Sequence, residues 1–174
     1  MANRHLALIL LLPALSGLAA PLIPAGYQQV AQRARVPAEL LYAVALTESG
    51  TQLSHGVHPW PWTLNVGGQA YQYATRQQAC TALNQFLHTR DPRRIDAGLG
   101  QINIGWNGQF FATPCDALDP YLNLHVSARL LREHFDKQHS WLHAAGRYHH
   151  PAGGPPARRY RQKVARYLQQ LLSS

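Results

Sequence analysis

"PAELLYAVALTESG", residues 37–50, reads as one helix with proline in its first turn and glycine at its end. An apolar run from Leu40 to Leu46 is followed by Thr47, a carboxylate at Glu48, Ser49 and Gly50. Leu41, Val44 and Glu48 fall on one stripe at spacings of three and four, so the acid continues the face that looks inward. Burying an unpaired carboxylate is costly, and a chain shaped only for stability would avoid it. Glu48 is therefore either a solvated helix end or an acid held in an apolar wall. In the second case the wall and the negative end of the helix dipole are both expected to keep a proton on it near neutral pH.

Working outward, the chain reads as mostly helical. Tyr27 to Arg35 forms a short helix with Tyr27, Val30, Ala31 and Ala34 on one side. Residues 55–62 (HGVHPWPW) read as irregular, and "TLNVGGQAYQY" alternates around Gly67-Gly68 as a β-hairpin does. Thr75 and Gln78 make a capping box ahead of Ala79, Cys80, Leu83, Phe86 and Leu87 at helical spacing. "IDAGLGQINIGWN" (95–107) is punctuated by glycine and has no clear period. Asp119-Pro120 opens the longest helix, to about Lys137, with Leu124, Ala128, Leu131 and Phe135 inward. Ser140 caps a helix through Tyr148, and a last helix carries Tyr160, Val164, Tyr167, Leu168 and Leu171. No repeat or linker divides residues 21–174. The fold class is α+β, predominantly helical, one domain with one small hairpin.

Residues 1–20, "MANRHLALILLLPALSGLAA", have the layout of a secretory signal peptide: Arg4 and His5, an apolar stretch from Leu6 to Leu12, then Pro13 and small residues. That stretch is too short to span a bilayer, and no later segment is apolar enough. Export to the periplasm is the expectation. It favours a disulfide between Cys80 and Cys115, the only two cysteines; two buried free thiols are the alternative. The formal charge of +8, or +7 without Arg4, suits acidic partners such as a polyanionic cell wall. Export argues against nucleic acid as the partner. The densest basic cluster, Arg158 to Arg166, reads as the solvated face of the last helix.

Three stretches stand out from this scaffold: "ALTESG" at 45–50, "GLGQIN" at 98–103 and "AGRYHHP" at 145–151. In their order, about fifty residues apart, they resemble the motifs of the lytic transglycosylase branch of the lysozyme-like superfamily. That family pairs glutamate-serine with glycine-leucine-methionine-glutamine and alanine-tyrosine-asparagine. The resemblance covers roughly residues 25–150. From "HPWPWTLNVGG" to "DAGLGQIN" it is most similar to the forms encoded with conjugation and type IV secretion systems. Here Gly100 stands in place of methionine, and His149 in place of the asparagine after Tyr148.

The resemblance implies a lysozyme-like fold and a single-acid mechanism. Glu48 would protonate the glycosidic oxygen between N-acetylmuramic acid and N-acetylglucosamine. It would then take the proton of the muramoyl 6-hydroxyl, closing a 1,6-anhydro ring without water. Ser49 would bond Glu48 or the substrate acetamido group, Gln101 would line the cleft, and Asn103 would support the loop. Tyr148 would hold the Glu48 carboxyl through its hydroxyl. No cofactor is implied, and the partners would be glycan strands and the proteins of a conjugation or secretion apparatus.

Ordinary glycosidases use two carboxylates about 5–10 Å apart. Of the eight acidic residues, Asp119 reads as a helix cap, Glu133 and Asp136 as helix surface, and Asp91 as a turn residue. Asp96 is the one positioned to reach the cleft of Glu48, which leaves a hydrolytic lysozyme with Asp96 activating water as the rival. A second rival is an inactive glycan-binding assembly subunit. Trp60, Trp62 and Trp106 are sugar platforms or core residues. The ten histidines, with His139 and His143 four apart and His149 beside His150, complete no metal pattern, so no metal is expected.

Overall fold

Helix-capping chemistry sets most of the boundaries. The computed structural model describes residues 23–54 and 56–173, so the leader expected at 1–20 lies outside the described residues. Helix α1 is Ala25–Ala34 and α2 is Ala38–Ser49, with Pro37 as the N-cap of α2. Helix α3, Arg76–Thr89, starts on Thr75, whose hydroxyl accepts from the Gln78 amide. A four-residue helix α4, Ile104–Asn107, is capped by Asn103. Helix α5, Pro120–Gln138, starts where the Asp119 carboxylate accepts from the amides of Tyr121 and Leu122. Helices α6, Trp141–His149, and α7, Gly154–Ser173, follow as the last α-helices among the described residues. No helix among the described residues is long and apolar enough to cross a membrane.

The strand content exceeds the single hairpin that the sequence suggests. Strands β1 (Gly50–Leu53) and β2 (Gly56–Pro59) form a hairpin directly after α2, in part of the stretch read as irregular. The expected hairpin is present as β3 (Thr63–Val66) and β4 (Gln69–Gln72). It is extended by β5 (Ile95–Ala97) and β6 (Ile102–Asn103) into a four-stranded antiparallel sheet of order β4-β3-β5-β6. Strands of three and two residues are too short to show a period of two, so the sequence hides them.

Two apolar cores lie side by side. The first gathers α1, α2, α5, α6 and α7, with Leu40, Leu41, Val44, Leu131 and Val164 at its centre. The second joins the sheet to α3 and the turn at 114–118 through Leu64, Leu83, Ile95 and Leu118. Of the residues expected inward on α5, Leu124, Ala128 and Leu131 are buried. Phe135 is only partly covered and stacks on Trp141. Cys80 of α3, packed against the second core, is joined to Cys115 in a disulfide. With a sequence separation of 35, the closed loop contributes about 3–4 kcal/mol in the chain-entropy account.

Candidate active site

Where the two cores meet, a cleft of about 720 Å³ opens. Its helical wall carries Glu48 at the end of α2, with Tyr148 and His149 at the end of α6. Its other wall is the sheet, and strict alternation decides which side chains face it. Leu64, Val66, Ile95, Ala97 and Ile102 are buried, so Asn65, Asp96 and Asn103 take the opposite face. The register places Asn65 opposite Asp96 and Asp96 opposite Asn103, and all three line the cleft.

Glu48 answers the question posed by its helix. Its side chain is 13% exposed, so it is neither a solvated end nor fully buried. Its partner is His149, whose Nδ1 lies 3.8 Å from Oε1. Chain direction changes sharply after it. A Cβ on Gly50 would sit 2.3 Å from the Leu46 carbonyl oxygen, so only glycine lets the chain leave α2 directly into β1.

Asp96 shares the cleft with Glu48. Burial pushes its carboxyl up to about 6, and the nearby Glu48 charge adds to that. The 2.8 Å hydrogen bond donated by Asn103 Nδ2 and the charge of His149 pull it back. The raised value has a stability consequence. The folded state binds this proton more tightly than the unfolded chain, so the contribution is complete below about pH 4 and is lost as the pH rises through about 6. Asp96→Asn keeps the oxygen that accepts from Asn103 and removes the ionisation. Thermal unfolding is expected to show the variant melting above the wild type at pH 7, with the gain gone near pH 4. An equal difference at both pH values would contradict this.

The loop between β5 and β6 is pinned from several sides. Gly98 takes φ +83°, and a Cβ there would meet Asn123 and the Ala117 carbonyl at 2.2 and 2.4 Å. Asn123, fully buried on α5, accepts from the Gly100 amide and donates to the carbonyls of Ala97 and Ala117, each at 2.8 Å. Gln101 lines the cleft with a positive φ of 46°, uncommon for a side-chain-bearing residue. Its Nε2 donates to the carbonyls of Gly98 and Thr63 at 2.8 and 3.1 Å, which leaves its oxygen for the cleft. Asn103 caps α4, and its Nδ2 donates to Asp96 Oδ1 and to the Arg93 carbonyl.

Two residues stand differently from their expected places. Ser49 does not reach Glu48 or the cleft: it is 3% exposed, and its hydroxyl lies 2.8 Å from the Leu99 carbonyl oxygen and 3.1 Å from that of Ala45. A helical step of one residue turns it about 100° away from Glu48, onto the buried face. The Tyr148 hydroxyl donates to the Gly100 carbonyl at 2.5 Å in place of Glu48 and lies 3.3 Å from Ser127 Oγ. Burial first, and then the Glu48 charge, raise its pKa, so it stays a donor. The space that a larger side chain at 100 would need is taken: a Cβ there would lie 2.0 Å from Ser127 Oγ and 2.7 Å from the Tyr148 hydroxyl.

The sequence reading assigned no site role to Asn123 or Tyr160. Tyr160 is buried and stacks face to face on His149 at 4.4 Å. Its hydroxyl makes no hydrogen bond of normal geometry but lies against the Glu48 carboxyl, and burial, then the Glu48 charge, raise its pKa. Its helical spacing signalled only an inward face. Trp106 is 65% exposed at the cleft with Arg93 over its ring, whereas Trp60 and Trp62 pack edge to face on each other. Among the described residues no three His, Cys, Asp or Glu side chains converge as a metal site. Comparison with family models, with curated proteins and with solved structures finds no match to this chain.

Proposed function

We propose that the protein is an exported peptidoglycan lytic transglycosylase of lysozyme-like fold, working in the periplasm on glycan strands. The observation that carries this reading is the placement of Glu48: a largely enclosed carboxyl at a helix end, facing a cleft lined by Asn65, Asp96, Gln101 and Asn103 with the exposed Trp106. A glycosidase needs a carboxyl that can deliver a proton to the departing sugar oxygen. Amide and tyrosine side chains surround it, as sugar hydroxyls and acetamido groups require, and Trp106 offers a flat face for a pyranose ring. The three sequence motifs, the basic charge and the export-like leader point the same way. Their likeness to forms encoded with conjugation and secretion systems suggests that the enzyme opens the wall locally for such an apparatus.

In this reading Glu48 donates its proton to the glycosidic oxygen as the C1–O bond breaks. It then accepts the proton of the muramoyl C6 hydroxyl as that oxygen bonds to C1. The tethered hydroxyl competes with water because its effective concentration exceeds that of bulk solvent by several powers of ten. Asp96 supports a second reading, since a second carboxylate on the facing wall is what a hydrolytic muramidase uses on water.

Mass spectrometry of fragments released from purified wall separates the readings. The expected products end in 1,6-anhydro-N-acetylmuramic acid and weigh one water less than hydrolysis products. Reducing-end muramic acid as the main product would transfer the role of base to Asp96. Wall binding without release would leave a glycan-binding assembly subunit.

A further inference from the structure

The third motif departs from its family pattern at His149, and that position is where the cleft gains a cationic group. The His149 ring stacks on Tyr160 with 6° between planes, and this sets its orientation. Held so, its Nδ1 points towards Glu48 at 3.8 Å. The side chain is 47% exposed, so it exchanges protons with bulk solvent while Glu48 stays largely enclosed.

The titratable groups around His149 come from every neighbouring element. Glu48 faces it from α2, Asp96 from β5, Tyr160 from α7, Tyr148 from its own helix, and His134 shares the cleft from α5. Burial first, with Lys137 adding to it, lowers the pKa of His134 and holds it towards its neutral form. Both tyrosines keep their protons. Two carboxylates therefore face each other across the cleft, and His149 is the group placed to balance them.

We propose that His149 is the counter-ion of this two-carboxylate cleft: as imidazolium it pairs with Glu48, holds that carboxylate against the wall, and eases its release of a proton. It acts through Glu48 as a positioning residue. Its catalytic consequence rests on Glu48 being the acid; the pairing itself does not. The two neighbours of Glu48 act with opposite sign. A cation at 149 favours the ionised carboxyl, and an anion at 96 favours the protonated one.

The test has one arm that needs no activity. In the full chain, histidine NMR titration is expected to show the His149 midpoint falling in Glu48→Gln, an isosteric change that removes the facing anion. An unchanged midpoint with a native spectrum overturns the pairing. The second arm is the pH profile of wall-fragment release. The alkaline limb marks loss of the Glu48 proton. It is expected to move to higher pH in His149→Asn, where a cation is removed, and to lower pH in Asp96→Asn, where an anion is removed. A limb that stays in place in an active His149→Asn enzyme overturns the positioning role. An NMR shift without any fragment release by the wild type would overturn the enzyme reading and leave the pairing standing.

Discussion

Glu48→Gln is expected to lower the release of wall fragments by about 10²–10⁴-fold while the melting curve stays close to that of the wild type, because general acid–base assistance is worth that much. The amide has the size and shape of the carboxyl but carries no transferable proton. The Glu48 side chain approaches His149 at 3.8 Å and lies against the Tyr160 hydroxyl, contacts that an amide of the same shape can keep. Activity and stability should therefore separate cleanly, with thermal unfolding and fragment release measured on one preparation. Release at the wild-type rate would remove Glu48 from the chemistry. A comparable loss in Asp96→Asn would show two carboxylates at work and favour hydrolysis.

Asn123→Leu is expected to cost more stability than any cleft substitution. The Asn123 side chain satisfies one buried amide and two buried carbonyls, all at 2.8 Å, on the segments that carry Gly98, Gly100 and the 114–118 turn. Leucine fills similar space and satisfies none of them. Each orphaned buried group costs about 1–3 kcal/mol, so a total of about 3–9 kcal/mol is expected. For a chain of this size that is a fall of roughly 10 °C or more in Tm. Activity should fall with it even below the melting range, since the loop that carries Gln101 loses its anchor. A melting point within a few degrees of the wild type would show that water replaces the lost bonds.

The helices were legible because their ends are marked. Thr75, Asp119 and Ser140 cap the helices that the sequence assigned to them, and the spacing of Leu124, Ala128 and Leu131 names a buried face. The sheet was legible only at β3 and β4, where Gly67-Gly68 marks the turn. The strands β5 and β6 exist through pairing with β3 and with each other, and pairing across thirty residues leaves no local period. The site followed the same division. Glu48, Asp96, Gln101, Asn103 and Tyr148 do share one cleft. The hydrogen bonds of Ser49 and Tyr148 were not legible, since each depends on where the 98–101 loop passes. His149 showed only as a departure from a motif, and its approach to Glu48 arises from the stacking on Tyr160. Asn123 sits inside a long helix with nothing nearby in sequence to signal that a distant loop hangs on it.

The covalent bridge and the cleft belong to different parts of the molecule. Cys80 packs against the sheet-side core and Cys115 lies in the 114–118 turn, so the bridge stiffens one wall and does not tie it to the other. The walls are instead tied by non-covalent links, among them the Ser49 hydroxyl on the Leu99 carbonyl and the Tyr148 hydroxyl on that of Gly100. A reducing environment would thus soften the floor beneath Asp96 while leaving the jaw that grips Glu48 its own hold. The molecule can lose its only cross-link and keep the gauge of its opening, which two hydroxyl groups and the Asn123 amide help to set.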